Sequence, residues 1–371
     1  MIEAPAVLRT TRPSPLQAIT HAALTFALLA LILAVLFPRV ADADVTWSAF
    51  GEITWGALGA IVVVFAFTEL LKALPYVVLV PRLGVWQSFV ANEASTTISN
   101  TIPGPSGTAA TYLMFRSWGF NADDFGKAVI VNSVWNNAVL LVFPVVAMLI
   151  YGPGHDVDGY GFLIAVAGVV IALICGAIIV GIARSVGFAR RVGVIAGHVV
   201  TWARGIIGRP RPEDFGDAVV KFRTDVMETV ASRWLALTIV ILVKYLAAAW
   251  LLLICLRAVG VGSAVLNWRE ILVAYAIVRL LTVIQITPGG VGVTEFAYAA
   301  VLEALAGAGT DVDSAIVAGT LLFRGFTYVA PIIVGIPCYL VWRMKKRWRV
   351  QAATLSEGPT AFATAGFRAT G

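Results

Sequence analysis

The sequence predicts an all-α, polytopic membrane protein with about six full membrane spans and two broken-helix hairpins arranged as an inverted repeat. Of its residues, 59% are hydrophobic and 13% are charged, whereas about a quarter of the residues of a typical soluble domain are charged. Apolar runs recur at the length of roughly 20 residues that a helix needs to cross a bilayer. Two Pro-Gly-rich peptides, residues 100–107 and 285–295, interrupt these runs.

The apolar runs define the elements in chain order. The first run exceeds the usual hydrophobic region of a signal peptide, about 7 to 15 residues, and therefore predicts a membrane span that is not cleaved. Asp123 and Asp124 are expected to cap the helix that ends near Tyr151. The predicted full spans are 16–37, 53–80, 123–151, 160–183, 230–256 and 315–342, and the predicted hairpin arms are 85–101 with 106–118 and 268–287 with 292–306.

The basic residues predict the orientation of these spans. The longest polar segment, 184–229, holds eight Lys or Arg against five Asp or Glu, and a second basic cluster follows the last span. Positive residues favour the cytoplasmic side. We therefore expect a single transmembrane domain, 16–349, in the inner (cytoplasmic) membrane, with disordered cytoplasmic termini at 1–15 and 350–371. The net charge of +6 then reflects orientation and not nucleic-acid binding.

Cofactor and catalytic signals are weak. The three cysteines lie within apolar runs and the three histidines are far apart in sequence, so we expect no metal site and no cofactor. No nucleophile, metalloprotease or nucleotide-binding motif is present, and we expect no enzymatic activity. Short acidic DxD loops, of which Asp42 and Asp44 form one, keep a membrane glycosyltransferase open as an alternative.

The two Pro-Gly peptides indicate an internal repeat. Pro103, Gly104 and Gly107 have the spacing of Pro288, Gly289 and Gly292, with Gly290 as an additional glycine. Each peptide lies in a unit of span, hairpin and span, 53–150 in the first half and 230–343 in the second. The charge-derived topology inverts the second unit relative to the first. Inverted repeats with broken helices near the midplane are typical of secondary transporters.

Charged residues within apolar segments are the candidate site. Each costs about 2.5 kcal/mol or more at a helix centre. Glu69 and Lys72, three residues apart, are expected to pair with each other. The predicted substrate-binding residues are Lys244, Arg279, Arg324, Glu295, Arg116 and Glu93.

The three cations Lys244, Arg279 and Arg324 are expected to lie in one pocket. Few acids lie near them in sequence, which favours binding of an anion such as a phosphate. Glu295 is expected either to pair with one of these cations or to carry a coupling proton. A structural ion pair remains the alternative for these residues.

The peptide from Thr287 to Glu295 and the downstream pair Phe323-Arg324 resemble the lysylphosphatidylglycerol synthase transmembrane region family, over roughly residues 20 to 345. The resemblance implies a flippase-like inner-membrane protein, and it places Glu295 and Arg324 at matching positions. The first half departs from the family, because Gly107-Thr-Ala-Ala-Thr-Tyr112 stands where many relatives have a Gly-Glu and an Arg. The soluble aminoacyl-transferring domain of some relatives is missing, so lipid aminoacylation is not expected.

We therefore predict a transporter that moves a lipid with an anionic headgroup across the membrane. The alternatives are a glycosyltransferase that uses a polyprenyl-phosphate sugar and a non-transporting scaffold for envelope-biogenesis enzymes. The expected partners are membrane lipids, and envelope enzymes under the last alternative.

Overall fold

The computed structural model describes residues 50–51, 53–101, 106–152, scattered positions between 181 and 194, 233–281, 290, 292–307 and 313–345. Four predicted segments lie outside the described residues: the span 16–37, the span 160–183 apart from Gly181, most of the loop 184–229, and both disordered termini. The described part of the chain is helical and contains no strand. This confirms the all-α prediction.

The helices are α1 (Trp55–Leu79), α2 (Val85–Thr101), α3 (Ser106–Ser117), α4 (Ala122–Tyr151), α5 (Trp234–Ala258), α6 (Trp268–Leu281), α7 (Val293–Ala306), α8 (Asp313–Arg324) and α9 (Ala330–Met344), with a π-helical segment at Gly325–Val329 between α8 and α9.

Four of these helical stretches are long and apolar enough to cross a membrane. Within the described residues they are α1, α4, α5 and the continuous stretch Asp313–Met344. They coincide with the four predicted full spans that fall in the described part of the chain. The protein is therefore a multi-pass membrane protein, as predicted.

Local chemistry explains where two of the spans begin. The Thr54 hydroxyl accepts a hydrogen bond from the Ala57 N–H at 3.2 Å and caps α1. At the start of α4 the cap is Asn121, whose side chain accepts from the Asp124 N–H at 2.7 Å. The prediction that Asp123 and Asp124 cap this helix was therefore wrong. Both acids instead lie in the first turn of α4, where their negative charges interact favourably with the positive end of the helix dipole.

The two halves contain the same sequence of elements. A long helix (α1 or α5) is followed by two short helices (α2 and α3, or α6 and α7) and then by another long helical stretch (α4, or α8 to α9). The α1 and α5 helices pack against each other, α2 packs along α9, and α4 packs along α6. Each half thus covers a hairpin helix of the other half.

Helix α2 forms hydrogen bonds with α9 and with the π-helical segment that precedes it. The Thr97 hydroxyl donates to the Pro331 carbonyl at 3.1 Å. The Tyr328 hydroxyl donates to the Asn100 carbonyl at 3.2 Å, and the Asn100 amide donates back to the Tyr328 carbonyl at 3.4 Å. These bonds satisfy polar groups of α2, which must be covered by protein inside a bilayer.

Gly335 allows this close approach, because a Cβ added there would collide with the Thr97 hydroxyl and the Glu93 carbonyl. We expect Gly335→Ala to lower the free energy of unfolding by about 1–3 kcal/mol, the usual cost of overpacking. Thermal unfolding in detergent would measure it. The matched control is Gly59→Ala in α1, where nothing lies within 4 Å of the added Cβ. Equal stability of the two variants would contradict the prediction.

Candidate functional site

A polar cavity of about 400 Å³ lies between the two halves. Both hairpins and the long helices contribute to its wall. Its lining residues are Thr68, Lys72, Pro75, Tyr76, Asn92, Ser95, Thr96, Asn100, Thr108, Thr111, Asn132, Lys244, Tyr245, Ala248, Tyr275, Arg279, Thr294, Tyr298, Phe323, Arg324, Thr327 and Tyr328. Among these described residues four are cations, Lys72, Lys244, Arg279 and Arg324, and none is an Asp or Glu.

The cavity brings together the three cations that the sequence singled out. Lys244 comes from α5, Arg279 from the last turn of α6 and Arg324 from the last turn of α8. Lys72 joins them from α1. The Lys72 ammonium also contacts the Glu69 carboxylate at 2.6 Å, as predicted. That pairing does not remove Lys72 from the cavity wall.

Lys244 and Arg279 share an aromatic neighbour. The Lys244 ammonium donates to the Asn136 side-chain oxygen at 2.5 Å and lies 4.8 Å from the centre of the Tyr245 ring. The Arg279 guanidinium lies 5.9 Å from the same ring, and its side chain is exposed to the cavity. A ring face stabilises a cation, and none of these three contacts is with a carboxylate.

Arg324 and Glu295 form an ion pair at the edge of the cavity. The Arg324 Nε donates to Glu295 Oε1 at 2.6 Å, and the Gly292 N–H donates to Glu295 Oε2 at 2.7 Å. The carboxylate therefore joins α8 to the start of α7. Of the two roles that the sequence left open for Glu295, the geometry provides the ion pair.

The π-helical segment begins next to Arg324. Widened turns of this kind are frequent at functional sites. Here the segment brings Thr327 and Tyr328 into the cavity wall. The Arg324 guanidinium lies 5.4 Å from the centre of the Tyr328 ring. Pro331 in the first turn of α9 has no N–H to donate to the preceding turn, which fits a change of helical register at this position.

The remaining predicted site residues lie outside the cavity wall. Glu93 is fully buried behind it, with Oε1 accepting from the Asn92 amide at 3.0 Å. Glu295 reaches the cavity through Arg324. Arg116 lies at the exposed end of α3, where its guanidinium donates to the Phe120 carbonyl at 3.4 Å. The predicted set thus divides into three lining cations, two carboxyl groups near the wall and one peripheral cation.

The predicted hairpin breaks are only partly described. Pro103, Gly104, Pro288 and Gly289 lie outside the described residues. Gly290 and Gly292 have φ angles of 69° and 84°, a left-handed conformation that favours glycine. Gly107 instead lies in the first turn of α3, where a Cβ would collide with Ser95 and Ser99 of α2. It therefore allows the two arms of the first hairpin to touch.

Several residues that line the cavity are not among the substrate-binding residues predicted from the sequence. They are the hydroxyl and amide side chains of α2 and the tyrosines of α1, α5, α6, α7 and the π segment. The Tyr275 and Tyr298 rings stack with their centroids 6.5 Å apart. A tyrosine in an apolar helix also serves as ordinary core, so the sequence alone gave no reason to select these rings. The polar run of α2 was a usable signal.

The arrangement is suited to binding an anion in a partly dry site. Arginine and lysine donors bind phosphate through charge-assisted hydrogen bonds, and neighbouring hydroxyl and amide groups can complete its shell. In the described part of the chain, no three His, Cys, Asp or Glu side chains are grouped so that they could hold a metal ion. The DxD acids Asp42 and Asp44 lie outside the described residues.

Comparison with known proteins identifies the family. The family model described as the lysylphosphatidylglycerol synthase TM region matches residues 22–335, which is most of the chain. A search of curated proteins finds no match. Both the Glu295–Arg324 pair and the four cavity cations fall within the matched range. The chain therefore belongs to the lysylphosphatidylglycerol synthase TM region family.

Proposed function

We propose that the protein moves a lipid with an anionic, phosphate-containing headgroup across the cytoplasmic membrane, with the headgroup in the cavity. The observation that carries the proposal is the group of four cations around a space of about 400 Å³ that no described Asp or Glu side chain lines. This volume lies within the usual range for small-molecule sites, roughly 300–1,000 Å³. Membership of a membrane family named for lipid metabolism supports the same substrate class.

The charges in the wall account for the preference for an anion. Placing four cations near one another inside a membrane is unfavourable unless an anion or nearby carboxylates compensate them. Glu69 and Glu295 compensate part of this charge from behind the wall. Lys244 and Arg279 both line the cavity and both lie against the Tyr245 ring, so both charges would stabilise an anionic headgroup placed between them.

The two hairpins give the cavity a means of opening. The wall contains Ser95 and Thr108 from the first hairpin and Arg279 and Thr294 from the second. Movement of one hairpin against the other would expose the headgroup to one side of the membrane or the other, as in transporters built from repeated halves. The acyl chains would remain in the bilayer.

The test is translocation in proteoliposomes. We expect the purified protein to accelerate movement of fluorescent phosphatidylglycerol between leaflets, because its phosphate fits the cationic wall. A fluorescent neutral glucosyl diacylglycerol should cross no faster than in vesicles without protein. Equal acceleration of both lipids would contradict selection by charge, and acceleration of neither would contradict lipid transport.

A further inference from the structure

A second charged group lies directly behind the cavity wall, in the interface between α1 and α2. Glu69 of α1 and Glu93 of α2 are 2% and 0% exposed. Their carboxyl groups lie close enough to interact with each other electrostatically. Buried carboxylates normally have a cation or a full set of donors. Among the described residues, Glu69 has an ion pair with Lys72, and none is present for Glu93.

The hydrogen bonds of the pair are incomplete in a specific way. Glu69 Oε1 accepts from the Lys72 ammonium at 2.6 Å, and Glu93 Oε1 accepts from the Asn92 amide at 3.0 Å. The second oxygen of each group, Oε2, is buried and has no donor among the described residues. Two adjacent carboxyl groups that each keep one unsatisfied oxygen lack one proton donor between them, and a proton held by one group would supply it.

The hydrogen-bond donors to both carboxyl groups face the cavity. Lys72 and Asn92 line its wall, so each carboxyl group is one hydrogen bond away from the space assigned to the headgroup. Two other titratable groups act on this region: Lys244 on α5 interacts electrostatically with Lys72, and Cys338 on α9 interacts electrostatically with Glu93. Neither supplies a compensating charge to both Oε2 atoms.

We propose that Glu69 and Glu93 share one proton, and that this proton binds together with the anionic headgroup, so that lipid movement is coupled to protons. The coupling to lipid movement rests on the proposed function, whereas the shared proton does not. One proton from water binds one carboxylate, which then donates to the other, and no other bond changes. With this proton the pair has one negative charge instead of two, which leaves more of the Lys72 charge available to the headgroup.

The sign of the pH effect follows from this charge balance. Lower pH fills the proton site, so anion binding becomes tighter as the pH falls and weaker as it rises. One linked proton changes the dissociation constant by at most about tenfold per pH unit. In Glu93→Gln, the amide is uncharged and can donate to the Glu69 carboxylate, as the shared proton would. At every pH, this variant should bind phosphatidylglycerol as tightly as the native protein binds it at low pH.

The first experiment detects the proton without any lipid substrate. Infrared difference spectroscopy of the detergent-solubilised full chain over a pH series should show the C=O band of a protonated carboxylic acid in the native protein. Glu93→Gln should lose this band, because Glu69 then has no second carboxyl group with which to share a proton and keeps its contact with the Lys72 ammonium. The matched control is Glu303→Gln, since Glu303 on α7 also has a buried oxygen without a donor. A band that is absent from the native protein, or lost in Glu303→Gln and kept in Glu93→Gln, overturns the proposal.

The second experiment measures coupling. Titration of the native protein with phosphatidylglycerol in weak buffer, followed with a pH indicator, should show proton uptake that Glu93→Gln lacks and Glu303→Gln retains. If the native protein binds phosphatidylglycerol but takes up no proton at any of the pH values tested, the coupling is overturned. If the native protein binds no phosphatidylglycerol, the proposed function fails, and the infrared band still decides whether the two carboxyl groups share a proton.

Discussion

Arg279→Gln is expected to slow the translocation of phosphatidylglycerol by about 10- to 100-fold while the protein still folds. The guanidinium is exposed to the cavity beside the Tyr245 ring. A hydrogen bond to a charged group contributes about 1.5–3 kcal/mol, and every 1.4 kcal/mol is about tenfold in affinity. The initial rate of leaflet exchange in proteoliposomes, at equal protein content, measures the effect.

Two further variants make this result specific. Arg116→Gln also removes an arginine from a hairpin, but Arg116 lies at the exposed end of α3 and outside the cavity wall, so its translocation rate should match that of the native protein. Arg279→Lys should recover only part of the rate, because lysine cannot donate two parallel hydrogen bonds to a phosphate. An unchanged rate in Arg279→Gln, or an equal loss in Arg116→Gln, would contradict the assigned role.

Glu295→Ala is expected to destabilise the protein more than any other single change considered. The side chains of Glu295 and Arg324 are only 19% and 13% exposed. Removing the carboxylate deprives both Arg324 Nε and the Gly292 N–H of their acceptor. Loss of one member of a buried ion pair costs about 3–5 kcal/mol. The fraction of monodisperse protein that survives heating in detergent would show the loss.

A double-mutant cycle separates the ion pair from other effects of the substitution. Glu295→Ala combined with Arg324→Ala should be less destabilising than the sum of the single variants, because the double variant leaves no buried charge of the pair behind. Glu303→Ala is the control on the same helix, since Glu303 has no comparable bond to another helix within the described part of the chain. Additive losses, or equal stability of Glu295→Ala and Glu303→Ala, would show that the pair does not hold α7 to α8.

Hydrophobic length and helix-breaking residues were sufficient to predict most described helices. The predicted arm 85–101 has the bounds of α2, because Gly84 and the Pro-Gly peptide delimit it from both sides. The start of α4 was predicted less well. Asn, Asp and Ser are all good caps, and composition could not indicate that Asn121 would precede two acidic residues already inside the helix.

The π-helical segment could not be predicted from the sequence. A single span was expected over 315–342, and the structure divides this stretch at Gly325–Val329. A change of helical register alters backbone hydrogen bonds without any change in apolar composition. Pro331 was visible in the sequence, but a proline in a membrane helix is common and does not by itself indicate a widened turn.

The charged residues of the cavity wall were the part of the site that the sequence predicted. Lys244, Arg279 and Arg324 stand out because ionised groups are rare in apolar helices, and all three line one cavity. Lys72 was assigned to its neighbour Glu69. That contact is present, but one partner does not use all three donors of an ammonium group. Which tyrosines face the cavity depends on packing between distant helices, which a single sequence does not reveal.

The reciprocal packing of the two halves has a consequence for how the chain matures during synthesis. The polar helix α2 enters the membrane early, yet its covering helix α9 follows more than 200 residues later. Until then the hydroxyl and amide groups of α2 need another shelter, such as water, the insertion machinery or a temporary neighbour. Completion of α9 is therefore the step that covers α2, and release of a shortened chain before that point would leave a degradation-prone product with α2 uncovered.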